Sequence, residues 1–311
     1  MAASSHSPEP TMTPLLANAP VTWGVWGPHS LPPGRTPRDI LAAVASAGYT
    51  GVELGALGFF GRDAAATVAA LQEFGLASAG AYVALRPLAG REAMEEDLAG
   101  LRAICAVLAS FPQTGPVILA GSGAEGIVRH VKRGTRHPEL DLTDEQWIAF
   151  IAGMAEAARI AAGYGIPVSF HPHTGTHVEQ PHEVDRFLSG CDIPLTLDTG
   201  HAAAGGDDPL DLLRRWGDRV NHVHLKDVAM APVEKASAEG IPFGMADASV
   251  ALGEGDLDLD GFMRALEARD YRGWIVVEQD RRPDGGHDHA DVDEEQRRNL
   301  EWVKARAGWM S

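Results

Sequence analysis

Eight short runs rich in β-branched and apolar residues recur along this chain, and each is followed by a longer segment whose apolar residues return with the helical period. No other feature limits its folds as tightly. The runs lie at 21–27, 51–55, 78–85, 116–121, 167–173, 194–201, 220–228 and 274–280. The helical segments lie at 37–47, 63–74, 91–110, 144–164, 182–188, 209–216, 259–269 and 293–306. Strands that alternate with helices lie parallel, because the crossover helix carries the chain back to the same end of the sheet. Eight such units match a closed (β/α)8 barrel, an α/β fold in a single domain. An open doubly wound sheet would call for a G-x-G-x-x-G turn after the first strand, and the residues there are WGVWGPHSLPPGR. We therefore expect the barrel over 18–311, behind a disordered tail at 1–17.

The chain sets 26 Lys and Arg against 43 Asp and Glu, a formal net charge of -17. Polyanion binding depends on cationic side chains that displace condensed counterions, so nucleic acid is not expected as a partner. A membrane is not expected either, because no run approaches the roughly 18 apolar residues that span a bilayer. The opening MAASSHSPEPTMTP lacks the basic and apolar regions of a signal peptide, which leads us to expect a cytoplasmic protein. Cys105 and Cys191 have no C-x-x-C partner and read as buried thiols.

The chemistry concentrates where the last four runs end. His171 and His173 end the fifth, Asp198 and His201 the sixth, His222, His224 and Lys226 the seventh, and Glu278 and Asp280 the eighth. Alternation along a strand puts Ser169, His171 and His173 on one face, as it does Thr196 and Asp198, His222, His224 and Lys226, and Val276, Glu278 and Asp280. Phe170, Leu197, Val223, Leu225 and Val277 then face the outer helices. Singly, each polar residue has an ordinary explanation: a lone histidine near a strand end is usually a hydrogen-bonded structural group, and Asp198 is placed to cap the next helix. Together they need a positive centre, since unpaired buried charge costs several kcal/mol. A divalent cation held by Asp198, His224 and Glu278 supplies it, and nitrogen and oxygen donors without a thiolate suit Mn, Co, Fe, Mg or Zn. In a barrel, active sites form at the C-terminal ends of the strands, so the long connections 122–143 and 229–258 are expected to make a rim or lid over the site.

Weaker signals sit elsewhere. Glu53 ends the second run, where it can meet a substrate hydroxyl or serve the barrel mouth structurally. Trp23 and Trp26 offer either a stacking wall for a ring or ordinary packing. The HDH of residues 287–289 and the basic RHVKRGTRH of 129–137 read as solvated loop and lid surface.

The segments LDTGH, HVHLKD, LGEGDLDLDGF and VVEQD resemble those of the xylose-isomerase-like TIM-barrel superfamily of sugar isomerases, epimerases and lyases, over nearly the whole chain. Within it, NAPVTWGVWG, GVELGALGFF, FHPHTGTHVE and VEQD are most similar to the inosose dehydratase subgroup. The resemblance implies a metal held by a carboxylate after the fifth strand, the aspartate of D-x-G-H, the second histidine of H-x-H-x-K-D and a glutamate ending the eighth strand. Asp198, His224 and Glu278 match the last three. At the first, His171 stands where the superfamily usually has glutamate, and Glu179 is the alternative, reaching back over HTGTHV. Face and position favour His171; charge balance for a hard ion favours Glu179.

The resemblance also implies what the site does. It points to one divalent ion, Mn2+ or Co2+ ahead of Mg2+, Fe2+ and Zn2+. The reaction implied is removal of water from a cyclic polyhydroxy ketone such as 2-keto-myo-inositol through a metal-stabilised enolate, with His173, His201 and Lys226 as the acid–base candidates. The partner is then a small polyol ketone or sugar, and a homo-oligomer stays open. A ketose epimerase or isomerase would use paired glutamates, one of which HPH replaces here. A carbon-glycoside-cleaving lyase subunit would need a small partner chain, an endonuclease would need histidines on the earlier strands, and a catalytically retired sugar-binding protein would have no need of Asp198, His224 and Glu278.

Overall fold

The computed structural model describes residues 15–27, 31, 33–122, 136, 138–282 and 288–308. Its strands are β1 (Leu16–Asn18), β2 (Gly51–Glu53), β3 (Ala77–Leu85), β4 (Val117–Gly121), β5 (Val168–Phe170), β6 (Leu195–Asp198), β7 (Val220–Leu225), β8 (Asp227–Val228), β9 (Ser249–Val250) and β10 (Trp274–Val277). Eight of them pair in parallel in the order β1-β10-β7-β6-β5-β4-β3-β2, and the pairing of Ala17 with both Val276 and Gly51 closes the ring. The strands β8 and β9 form a small antiparallel pair outside it. The expected (β/α)8 barrel is therefore the fold.

The helices are α1 (Pro37–Ala47), α2 (Ala64–Glu73), α3 (Arg91–Leu108), α4 (Asp144–Gly163), α5 (Pro181–Gly190), α6 (Thr199–Gly205), α7 (Pro209–Trp216), α8 (Met230–Glu239), α9 (Leu259–Ala268) and α10 (His289–Arg306). Local chemistry sets several ends. Thr36 and Asp39 form a capping box before Pro37, and Asp208 caps α7 by accepting from Leu210 and Asp211 N–H. Phe170, Leu197, Val223, Leu225 and Val277 are fully buried in the apolar layer shared with the helices, as alternation required. Within the barrel, Ala17, Ala79, Trp274 and Val276 form a separate apolar cluster. Gly51 makes room for it: a Cβ there would fall 2.5 Å from the Trp274 ring. No helix among the described residues is long and apolar enough to cross a membrane.

Three expectations need correction. The first strand is Leu16–Asn18 and not 21–27, where Pro20–Trp23 forms a 3-10 turn. Pro20 opens that turn with its fixed φ and missing N–H, and Gly24 closes it at φ 78°, so β-branched composition alone misplaced the strand. The barrel accordingly starts before the expected boundary at 17/18, and residues 1–14 lie outside the described residues. The connection 229–258 is folded, with α8, a 3-10 turn at Phe243–Met245 and β9. Its Val233, Phe243 and Ala248 pack with Ala203 and Ala204 of α6, a helix that was also unforeseen. Of the connection 122–143, residues 123–135 and 137 lie outside the described residues.

Candidate active site

Asp198 ends β6 and splits its carboxylate between two tasks. Oδ1 accepts the His201 N–H at 2.8 Å and caps α6; Oδ2 is buried and accepts no hydrogen bond among the described residues. Around Oδ2 stand His224 Nδ1 at 3.4 Å, His171 Nε2 at 3.5 Å and Lys226 Nζ at 3.1 Å. Glu278 completes the group, with Oε2 at 3.1 Å from His224 Nδ1 and 3.0 Å from Lys226 Nζ. All of these side chains are buried. The four strand ends predicted to converge do so.

The hydrogen bonds fix which ring nitrogens carry protons. His171 Nδ1 lies 2.7 Å from the Pro172 carbonyl, which can only accept, so Nδ1 donates. Burial, and then the neighbouring His224, push the His171 imidazole well below its ordinary range and keep it neutral. Its Nε2 is therefore a bare lone pair aimed at the orphaned Asp198 Oδ2. Two electron-pair donors face one another at 3.5 Å. Lys226 touches the carboxylate side of this pair and cannot satisfy both, so the donor set fits a cation between them.

Charge points the same way. Glu53, Asp198 and Glu278 are buried carboxyl groups, and Lys226 meets Asp198, Glu278 and the half-buried Asp280. Burial opposes charge on Lys226, but Asp198, Asp280 and Glu278 outweigh it and hold the ammonium protonated well above its usual range. His224 behaves likewise: burial works against a second proton, and Glu278, Glu53 and Asp198 retain it. Asp280 is pushed up by burial despite its contact with Lys226, at 3.0 Å.

Of the two candidates for the fourth ligand position, His171 alone approaches the group. Glu179 Oε2 instead accepts the Gly175 N–H at 2.6 Å and ties down its own loop, and among the described residues Glu179 joins no cluster of ligand atoms. His177 packs its ring against Phe150 at 6.2 Å. Near this centre opens a cavity of about 530 Å³, whose wall includes Trp26, Glu53, Tyr82, His173, His201 and Phe243.

Two more tautomers follow from Thr174. Its carbonyl lies 2.8 Å from His173 Nδ1, so His173 donates there and keeps a lone pair on Nε2. Its N–H points at His201 Nδ1 at 3.4 Å, with Oγ1 at 2.9 Å, so His201 Nδ1 accepts and the proton sits on Nε2. The rest of the HTGT stretch hid this role for Thr174, and nothing in the sequence pattern signalled it.

The remaining predictions divide. Trp26 lines the cavity, whereas Trp23 is a correction: it is buried, absent from the cavity wall, and donates through Nε1 to Asp293 at 2.8 Å. Glu53 also lines the cavity, yet its Oε1 is committed to His222 Nε2 at 2.8 Å and His224 Nε2 at 2.9 Å. Phe243, missed because it lies in a connection read as loop, sits against His201 with ring centroids 5.3 Å apart. Of the HDH triplet, His287 lies outside the described residues, Asp288 caps α10 and His289 bonds the Pro33 carbonyl at 2.7 Å. Of the basic 129–137 stretch only Arg136 is described, in an exposed ion pair with Asp141 at 2.6 Å.

The comparisons with known proteins bear on this geometry. The family model described as "Xylose isomerase-like TIM barrel" matches residues 41–306. An inosose dehydratase of Geobacillus kaustophilus is 30% identical over 287 residues, covering 90% of this chain and 92% of the relative. The rhizopine catabolism protein MocC of Rhizobium meliloti is 32% identical over 289 residues, covering 89% of this chain and 84% of that one. Among solved structures, the IolI protein with a bound zinc atom superposes with a TM-score of 0.66 at 14% identity, over 94% of this chain and 98% of the other, which is a likeness of fold. The chain belongs to the xylose isomerase-like TIM barrel family, beside the inosose dehydratases.

Proposed function

We propose that the chain is a metal-dependent dehydratase, a lyase that removes water from a cyclic polyhydroxy ketone such as 2-keto-myo-inositol. The observation that carries this reading is the bare His171 Nε2 facing the orphaned Asp198 Oδ2 at 3.5 Å, next to His224 and Glu278 and beside a cavity that takes a sugar-sized ring. The activity named for relatives about 30% identical over most of the chain supports it. His171, Asp198, His224 and Glu278 would hold one divalent ion, with Mn2+ or Co2+ our first choice. When bound, such an ion supplies Lewis-acid polarisation of a ketone carbonyl and an adjacent hydroxyl.

The protein's own residues do the rest. His173, neutral and with Nε2 unprotonated, takes the proton next to the carbonyl. As that C–H bond breaks, a C=C bond forms and the β-hydroxyl leaves as water with the proton that His173 has taken, while His201 donates a hydrogen bond from Nε2 to the departing oxygen. Lys226 keeps its charge and offsets negative charge as it develops on oxygen. Trp26 gives the ring a flat apolar wall.

Incubating metal-loaded protein with 2-keto-myo-inositol and with several ketohexoses, followed by mass spectrometry, tests the reading. A product lighter by one water from the inosose is the expected result. An isobaric product would instead make it an epimerase, and no turnover of any of them would remove the support for a dehydratase.

A further inference from the structure

Glu53 holds a position no strand pattern foretold. In β2, Val52 pairs with Ser78, but the next residue, Glu53, pairs with Gly80, so β3 carries an extra residue at that point. Such a bulge re-aims the side chain beside it. Gly80 is needed there: its φ is 126°, and a Cβ would meet the Pro116 carbonyl oxygen at 2.3 Å. The consequence is that the Glu53 carboxylate crosses to β7.

There, a single oxygen meets two rings. Oε1 lies 2.8 Å from His222 Nε2 and 2.9 Å from His224 Nε2, and all three side chains are buried. A carboxylate oxygen accepts and does not donate, so both Nε2 atoms carry hydrogen. The ring of His224 is thereby fixed in one orientation, with Nδ1 turned toward Asp198 at 3.4 Å and Glu278 at 3.1 Å. His222 fixes the carboxylate in turn, because its own Nδ1 is buried with no hydrogen-bond partner among the described residues and Glu53 is what its ring bonds.

We infer that Glu53, anchored by His222, is a positioning residue of the metal centre: its Oε1 holds the Nε2 hydrogen and the orientation of His224, so that Nδ1 is the ligand atom. This rests on the metal reading above and assigns Glu53 to the ion's surroundings and not to a substrate hydroxyl. Outer partners of this kind typically change metal affinity by about 10–100-fold when lost.

The test uses Co2+ with the full chain. Affinity is measured by competition with a chelating dye, and the proton NMR spectrum of the Co2+ form is searched for a shifted imidazole N–H that disappears in D2O. Glu53→Gln keeps the size and removes the charge; we expect affinity to fall about 10–100-fold and the N–H signal to move or broaden, with an unchanged far-UV spectrum. Unchanged affinity and an unchanged N–H signal would overturn the inference while leaving the metal centre standing. Failure of the natural chain to take up Co2+ would overturn the metal centre and this inference with it. Should Glu53→Gln not fold, His222→Gln decides, with about a tenfold loss expected and an unchanged affinity again overturning the idea.

Discussion

The rings of His173 and His201 lie with centroids 3.8 Å apart, tilted by 37°, and both turn to Thr174 for a hydrogen bond. Imidazoles this close do not both ionise readily. Burial, followed by the Lys226 ammonium, lowers the His173 pKa; burial, His173 and Lys226 lower that of His201 further. A bound divalent ion adds positive charge and pushes the same way.

The first prediction is a pH profile. A group whose pKa is depressed stays neutral as pH falls past its ordinary value, so His173, as the base proposed above, should work below the usual imidazole range of about 6.5. We expect the acidic limb of kcat/KM in the metal-loaded enzyme to lie under that value, and to vanish with activity in His173→Asn. A limb at or above it would assign the base elsewhere. Stability follows the same sign: the unfolded chain binds protons first, so stability is full above about 6.5 and falls as pH drops toward the folded values.

The divided carboxylate of Asp198 separates two effects that one substitution would confound. Asp198→Asn keeps an oxygen for the His201 N–H and loses the charge; Asp198→Ala loses both. Both variants should lose bound metal and turnover. Only the alanine variant should also lose the helix cap, so it should unfold with about 1 kcal/mol less stability than the asparagine variant in denaturant titrations. Metal content equal to that of the natural chain in either variant would place the ligand elsewhere.

What the sequence could and could not carry is visible in particular residues. The ends of α1 and α7 were readable because Thr36, Asp39, Pro37, Asp208 and Pro209 act within one turn of where they stand. Asp198, His224 and Glu278 were readable because strands in a barrel end at one rim, so position along the strand reports position in space. The first strand was misread because VTW has strand composition but a 3-10 turn's punctuation. The bonds from Glu53 to residues 169 and 171 positions away were invisible, since they depend on a one-residue bulge that no periodicity records. The helix α8 was missed because its burial comes from α6, distant in sequence, and not from a strong stripe of its own.

The opposed roles of His171 and Glu179 give a third prediction. His171→Ala removes a lone pair aimed at Asp198 Oδ2, and metal affinity should fall beyond the about 10–100-fold typical of an outer partner. Glu179→Ala removes the acceptor for the Gly175 N–H and leaves the His171 side untouched. That variant should keep its metal affinity within a few-fold and lose about 1–3 kcal/mol of stability, the worth of a part-buried hydrogen bond to a charged group. Metal lost from the Glu179 variant and kept by the His171 variant would reverse the assignment.

The cavity wall at Trp26 gives the last. Trp26 is fixed by its Nε1 bond to the Arg281 carbonyl at 2.7 Å, and its ring runs close to Gly244, where a Cβ would fall 3.0 Å away. A wall held this way can bind the apolar face of a ring without touching the reacting atoms. Removing it should weaken ground state and transition state alike, which raises KM and spares kcat. Stacking of this kind is worth about 0.5–1.5 kcal/mol, so Trp26→Ala should raise KM about twofold to tenfold. Gly244→Ala presses a methyl group toward the same ring and should raise KM in the same direction with a smaller effect. A fall in kcat with KM unchanged in Trp26→Ala would mean that the indole acts on the reacting atoms, and steady-state kinetics on 2-keto-myo-inositol distinguishes the two.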